Sequence, residues 1–152
     1  MALRRDLGDR EGVAIALTNL GEVACLQGAV ARAAALQAES LVLFRELGGA
    51  WGIVYCLQRV ALVAQASRSG QRPDGRRRAA RLFGALAELR ATLGIPLPPN
   101  EQGRIEEALA LLRAALGDAT FVADWADGRA MTLEQASAYA VATVAPLLPQ
   151  EA

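Results

Sequence analysis

Apolar residues in the first half of the chain recur at helical spacing, and glycine interrupts them at regular intervals. One periodic run covers about residues 10–27 and stops before Gly28, and the next covers about 30–47 and stops before Gly48. Glycine commonly ends helices because it adopts a left-handed backbone conformation without steric cost. The pattern therefore predicts a pair of helices joined by a short turn.

The pattern of this first helix pair returns later in the sequence. The Leu-Gly pair at 7–8 recurs 40 residues later at 47–48, and a third Leu-Gly pair at 93–94 closes a somewhat longer second unit. The extra residues fall in a stretch rich in Gly, Pro and Arg near 67–78, which predicts a loop. Self-similarity at a period of this length is typical of helical repeat proteins.

Projection of the first helix at about 100° per residue separates two faces. The face expected to point inward carries Val13, Leu17, Leu20 and Ala24. The opposite face mixes apolar and polar residues: Ile15, Thr18, Asn19, Glu22 and Leu26. A mixed face indicates the lining of a groove, and a partly exposed helix with chance apolar residues would give the same pattern.

Three more helices are predicted after residue 94. A proline-rich stretch precedes a helix over about 99–116, and Asp118 is expected to cap a second helix that ends at Gly128. Thr132 and Gln135 have the spacing of a capping box and predict the start of the final helix. The stretch from 123 to 140, which contains several acidic residues, a tryptophan and an arginine, is therefore interpreted as a helix junction.

The acids of this junction have two interpretations. Asp124 and Asp127 flank Trp125, so we expect a solvated acidic face around a packed tryptophan. The alternative is a small site for an amine or a cation. Farther upstream, Trp51 and Tyr55 have i, i+4 spacing near Phe44, where they pack one helix pair on the next or line a pocket.

Composition excludes several kinds of chemistry for this sequence. The 152 residues suit one domain, they contain no histidine, and all 16 basic residues are arginine. Schiff-base lysines, P-loop lysines and histidine general bases are therefore excluded, and two cysteines are too few for a cysteine-type zinc site. We expect no enzyme activity, no cofactor and no metal, with Cys25 and Cys56 as buried thiols.

The expected location is the cytoplasm. The apolar runs are short and are broken by Arg, Gln or Gly, so no membrane span or membrane association is expected. The first twelve residues carry charges and lack the apolar segment of a secretory signal.

Charge is distributed unevenly although the net charge is zero. Residues 68–90 hold seven arginines and two acids, whereas residues 91–152 hold three arginines and eight acids. The basic segment Arg68–Arg81 is a candidate site for an anion or a nucleic acid, because guanidinium groups pair bidentately with oxyanions. The alternative is a solvated insertion that meets the acidic C-terminal third. Nucleic acid is an unexpected partner, because the segment lacks interleaved aromatic residues for base stacking. The candidate arginine patch consists of Arg72, Arg76, Arg77 and Arg78.

Several of these positions match a known repeat family. The sequence resembles a tetratricopeptide repeat at Leu17, Leu20, Gly21, Ala24, Gly28, Val30 and Ala33. The resemblance implies an all-α fold made of antiparallel helix pairs in a right-handed superhelix. Residues 1–94 would form two such pairs and residues 95–152 a C-terminal helical cap packed on them. The large aromatic residues usual in this repeat are replaced by smaller or polar ones.

The segments 78–99 and 111–140 resemble the closing part of bacterial transcriptional regulators of the LuxR and SARP types, which are large signalling ATPases. This resemblance implies a non-enzymatic interaction or sensor scaffold. Its ATP-binding and DNA-reading parts would lie elsewhere in a parent protein, because no Walker motif or helix-turn-helix is evident here.

The repeat resemblance also implies where partners would bind. The expected partner is a protein, a peptide or a neighbouring domain of the parent chain. The first helix is expected to present an apolar edge that meets an upstream repeat or a second copy in a homodimer. The candidate groove residues are Thr18, Asn19, Glu22, Tyr55, Gln58, Arg59 and Leu62.

Overall fold

The computed structural model describes residues 2–66 and 73–149, with side chains described for residues 9–66 and 74–149. This part of the chain is helical throughout and contains no strand, which confirms the predicted all-α class. None of its helices combines the length and apolar character that a membrane span requires. The elements are α1 (Ala2–Leu26), α2 (Val30–Leu47), α3 (Ala50–Ala66), α4 (Pro73–Leu93), α5 (Pro99–Leu116), α6 (Asp118–Arg129), α7 (Leu133–Val144) and a 3₁₀ turn (Ala145–Leu147).

Glycine and proline set most of these boundaries. Gly28 and Gly48 have φ angles of 81° and 77°, a left-handed conformation that any residue with a Cβ adopts only with strain. The Gly48 N–H donates to the carbonyl of Phe44, which closes the last turn of α2. Proline at the first position of α5 removes an N–H that would have no partner within the helix. The predicted bounds 30–47 and 99–116 are confirmed.

The inward face of α1 differs from the predicted one. Val13 and Leu20, expected to point inward, are 47% and 51% exposed. Of the residues expected to point inward, Ala24 is buried as predicted. The other buried members of this face are small residues and one threonine: Ala14, Thr18 and Gly21. Small side chains let α1 and α2 approach closely, so the large apolar side chains of α1 lie on its outer side.

A polar seam (Thr18, Gln37 and Ser40) lies buried between α1 and α2. The Ser40 hydroxyl donates to the carbonyl of Ala14 at 2.8 Å, and the Thr18 and Ser40 hydroxyls bond to each other. The Gln37 amide donates to the carbonyl of Thr18 at 3.0 Å. The Gln37 side chain fits there because Gly21 opposite it has no Cβ. Every member of the polar seam thus has a hydrogen-bond partner, as burial requires.

α3 is the central helix of the fold. All residues from 56 to 64 are buried, and α3 contacts α1, α2, α4, α5 and α7. The C-terminal helix α7 packs on α2, α3 and α4. In a simple repeat array each unit contacts only its neighbours, whereas here the end of the chain returns to the middle. The repeat arrangement and its superhelix stay predictions.

α4 and α6 approach each other at two glycines. A Cβ at Gly84 on α4 would overlap the backbone carbonyl of Trp125, and a Cβ at Gly128 on α6 would overlap the backbone carbonyl of Arg81. The two helices therefore meet backbone to backbone at both positions. Gly128 was expected to end α6, but it is buried within the helix, which continues to Arg129.

The predicted capping box at the start of α7 is confirmed. The Gln135 N–H donates to the Thr132 hydroxyl at 3.1 Å, and the Thr132 N–H donates to the Gln135 side-chain carbonyl at 2.9 Å. The predicted cap of α6 is wrong, because Gly117 occupies the capping position and Asp118 is already the first helical residue. The junction interpretation of the stretch from 123 to 140 is confirmed, since it links α6 to α7.

Replacement of Thr132 by alanine is expected to lower the free energy of unfolding by about 1 kcal/mol, because the capping hydrogen bond to Gln135 is lost. Thermal unfolding followed by circular dichroism measures the effect. Thr92→Ala, at an exposed position within α4, is the matched control and should leave stability unchanged or slightly higher. Equal melting temperatures for the two variants would contradict this role of the cap.

Candidate interaction site

The outer face of α1 carries an exposed apolar surface, here called the α1 stripe (Val13, Leu20, Val23 and Leu26). These four side chains are between 47% and 69% exposed. Helical geometry places them within roughly 140° of one another along roughly 20 Å of the helix. A large apolar residue exposed singly is ordinary, but four along one helix face indicate a surface that binds another element. No other helix among the described residues exposes as many large apolar side chains.

One end of the α1 stripe adjoins α2. Asp9, Arg10, Val13 and Leu43 line a shallow depression there, and Arg10 forms an ion pair with Glu46 on α2. Val42, also on α2, is 51% exposed. The exposed apolar surface is therefore bordered by charged side chains at this end, an arrangement typical of an interface rim.

Four of the predicted groove residues contact each other rather than lying open. The Tyr55 hydroxyl donates to the Asn19 side-chain carbonyl at 2.9 Å, and Arg59 Nη1 donates to the Glu22 carboxylate at 2.8 Å. Tyr55 also stacks on Trp51, with ring centroids 5.4 Å apart, so this aromatic pair packs along its own helix. The spacing of the predicted groove thus does bring α1 and α3 side chains together.

The other three predicted groove residues are enclosed. Thr18 belongs to the polar seam, Leu62 is 4% exposed, and Gln58 is 1% exposed beneath α5. Arg59 is likewise only 4% exposed. Buried side chains cannot line an open groove, so the groove placement of these four residues is corrected. Their burial follows from α2 covering Thr18 and from α4, α5 and α7 covering α3.

α5 adds two charged residues to this region and completes an ion network (Glu22, Arg59, Glu101 and Arg104). Arg59 pairs with both Glu22 and Glu101, and Arg104 pairs with Glu22. Burial disfavours the charge of Arg59, but the Tyr55 hydroxyl and the two carboxylates outweigh it and raise its pKa. The ion network fixes α1, α3 and α5 relative to one another.

The arginine patch lies mainly on a helix rather than on the predicted loop. α4 begins at Pro73, so Arg76, Arg77 and Arg78 are helical, whereas Arg68 and Arg72 lie outside the described residues. Arg78 donates to the Thr143 hydroxyl at 2.9 Å, and its guanidinium carbon lies 4.0 Å from the centre of the Tyr139 ring. Arg76 is exposed.

Asp124 is the partner of Arg77 and Arg81. The prediction that its side chain is solvated is wrong. Its side chain is 0% exposed and accepts hydrogen bonds from Arg77 Nε at 3.0 Å and from Arg81 Nε at 3.1 Å. The hydrogen bond to Asp124 is the main cause that raises the pKa of Arg77. The interpretation in which the basic segment meets the acidic C-terminal third is therefore confirmed for α4 and α6.

The two thiols are free. Cys56 is buried, and burial raises the pKa of its thiol to about 12, so it stays protonated at neutral pH. Cys25 is only partly buried, in contrast to the prediction, and burial again raises its pKa. At both thiols burial outweighs the effect of the nearby arginines, so neither has the lowered pKa that makes a cysteine reactive.

No protein-family model matches the sequence, and no curated protein or solved structure is significantly similar to it. The resemblance to tetratricopeptide repeats and to bacterial regulators thus rests on the sequence motifs described above. The features that bear on function are the α1 stripe, which is open, and the ion network and arginine patch, which are mostly engaged within the fold.

Proposed function

We propose that this chain is a non-enzymatic protein-interaction module that binds a helix of a protein partner along the α1 stripe. In a parent protein of the bacterial regulator type, that helix would belong to the neighbouring helical segment. The observation that carries the proposal is the exposure of Val13, Leu20, Val23 and Leu26 along one face of α1. Because these side chains are already about half buried, covering each one with a partner would contribute roughly 1 kcal/mol.

A helix is the partner that fits this surface best. The α1 stripe follows one side of α1 for roughly 20 Å, the length of about four helical turns. The polar seam holds α1 at a fixed depth against α2, so the stripe is preorganised before any partner arrives. Preorganised apolar surfaces lose less conformational entropy on binding, which favours affinity.

The alternative anion-binding function through the arginine patch is less well supported. Arg77 and Arg78 make hydrogen bonds to Asp124 and Thr143, respectively, and a bound anion would have to compete with them. Only exposed Arg76 and the residues outside the described ranges remain for such a role. The interaction module is therefore the better supported of the two proposed functions.

Light scattering coupled to size exclusion tests the α1 stripe. Without its partner the 16.0 kDa chain is expected to self-associate through this surface, so its mean mass should rise with concentration. The double variant Leu20→Gln, Val23→Gln should stay monomeric with an unchanged helical spectrum, because both side chains are about half exposed.

Leu93→Gln, Val141→Gln is the matched control, since it removes two exposed apolar side chains from other helices. This control should associate like the unmodified chain. A monomer at high concentration for the unmodified chain, or the same association for both double variants, would count against the proposal.

A further inference from the structure

α5 borders a cleft that it forms with α4 and α6. Two adjoining cavities of about 380 Å³ and 320 Å³ lie where α5 faces α4 and α6. They share Glu106, Leu109 and Trp125 as lining residues, and together they are called the α5 cleft here. Cavities of several hundred cubic ångströms are the usual size of small-molecule sites.

The walls of the α5 cleft are mainly apolar and aromatic. Trp125 lies between its two halves and contacts Phe121 at a centroid distance of 5.9 Å. Only two side chains of α5, Ala108 and Leu112, are fully buried. Much of the inner face of α5 therefore borders the cleft. The remaining apolar lining residues are Phe83, Leu86, Leu97, Ile105 and Val122.

Two arginines line the α5 cleft. Arg113 pairs with Asp118 and lies against the Phe121 ring, whereas Arg90 bonds to neutral groups. Arg90 Nη1 donates to the carbonyl of Pro96 at 3.2 Å, and Arg90 Nη2 donates to the side-chain carbonyl of Gln58. Both acceptors are neutral. Each carboxylate of the ion network is paired with Arg59 or Arg104 instead.

The charge of Arg90 is therefore incompletely compensated. Burial lowers its pKa, Glu101 offsets this burial effect only in part, and the nearby Arg59 adds a smaller lowering. A guanidinium in a partly apolar environment gains most from a carboxylate, because charge-assisted hydrogen bonds are stronger than those to neutral acceptors. A cationic ligand would meet repulsion at the same place.

We propose that the α5 cleft binds an apolar monocarboxylic acid. Its carboxylate pairs with the guanidinium of Arg90, and its aliphatic or aromatic body lies against Leu109 and Trp125. Glu106 lines both halves of the cleft, and Arg113 already pairs with Asp118, so a second negative charge on the ligand is disfavoured and the class is limited to monoacids. The site lies on other helices than the α1 stripe, so the two proposals stand or fail separately.

Titration with decanoate, followed by calorimetry and by tryptophan fluorescence, tests this site. Trp51→Phe makes Trp125 the sole tryptophan, so a change in its emission reports binding in the α5 cleft. Decanoate is expected to saturate this signal, and decanamide, which has a similar body without the charge, should bind about tenfold more weakly. Equal affinity for the two, or no binding of decanoate, would overturn the proposal.

Three variants localise the interaction. Arg90→Gln should reduce decanoate affinity about tenfold and leave decanamide affinity unchanged, whereas Arg32→Gln on α2 removes the same charge outside the cleft and should change neither. Ala87→Phe adds volume at an exposed lining position and should block both ligands without unfolding the protein. Glu106→Gln should strengthen decanoate binding.

The variants also separate this site from other apolar surfaces. Leu20→Gln, Val23→Gln should bind decanoate normally, since the α1 stripe is not part of the α5 cleft. Loss of binding in that variant, or undiminished binding in Ala87→Phe, would show that decanoate binds elsewhere and would overturn the assignment.

Discussion

Replacement of Gly128 by alanine is expected to lower the free energy of unfolding by about 3 kcal/mol, the upper end of what overpacking usually costs. The added Cβ would overlap the backbone carbonyl of Arg81, and backbone cannot move aside as a flexible side chain can. α6 would have to shift away from α4, and the Asp124 contacts would be disturbed with it. Gly84→Ala is expected to act in the same way through the carbonyl of Trp125.

Urea unfolding followed by circular dichroism measures this loss. Gly103→Ala on α5 is the matched control, because a Cβ there meets no atom within 4 Å. Glycine is a poor helix former, so this control should gain about 0.5 to 1 kcal/mol. Similar midpoints for Gly128→Ala and Gly103→Ala would contradict the close approach of α4 and α6.

Replacement of Asp124 by alanine is expected to lower the free energy of unfolding by about 2 kcal/mol. The buried carboxylate accepts hydrogen bonds from both Arg77 and Arg81, and both guanidinium groups lose this acceptor in the variant. The two arginine side chains are 46% and 22% exposed, so water partly replaces the lost hydrogen bonds. For that reason the expected loss is below that of a fully enclosed ion pair.

The exposed ion pair between Glu88 and Arg129 provides the comparison for Asp124. It also joins α4 to α6, and its closest oxygen and nitrogen atoms are 2.9 Å apart. Because both partners are substantially exposed, Glu88→Gln should change stability by less than about 0.5 kcal/mol. Chemical unfolding of both variants under the same conditions gives the difference. Equal losses would show that burial of Asp124 adds nothing.

Helix positions were largely predictable from the sequence because local chemistry sets them. Gly28 and Gly48 end their helices through backbone conformation, and the Thr132 capping box needs only residues three apart. Each of these signals is complete within a few residues of the boundary that it marks. Tertiary contacts did not have to be known.

The orientation of α1 was not predictable by the same means. Periodicity identified two faces, and the larger apolar residues suggested the wrong one. Thr18 points inward because Ser40 and Gln37, about twenty residues away, offer hydrogen bonds to it and to its backbone. A polar side chain is stable in the interior only when such a partner is present. The pattern along one helix does not show whether a neighbouring helix supplies that partner.

The sequence contained a local indication that Asp124 is buried. The acidic composition of the region led instead to the prediction of a solvated side chain. Phe121, Asp124, Trp125 and Gly128 have the three- and four-residue spacing of one helix face, and Phe121 and Gly128 are buried together with Asp124. The spacing therefore indicated an inward-facing carboxylate that needed a cationic partner. The identity of that partner depended on how α6 packs against α4.

The candidate sites required the three-dimensional structure. The partners of Arg90, Gln58 and Pro96, offer it only neutral oxygens, and Gln58 comes from α3, 32 residues away in the sequence. The α5 cleft likewise forms between helices whose mutual placement no motif specifies. An apolar edge on α1 was predicted. The residues that form it depend on which face of α1 packs at the polar seam.

The polar seam also allows only one alignment of the first two helices. If α1 slid along α2 by one helical turn, the hydroxyls of Thr18 and Ser40 would move several ångströms apart. Each buried polar group that lost its partner would cost about 1 to 3 kcal/mol. An all-apolar contact would resist such sliding far less. For the partner proposed for α1, the position of contact would thus be set by three residues that this partner does not touch.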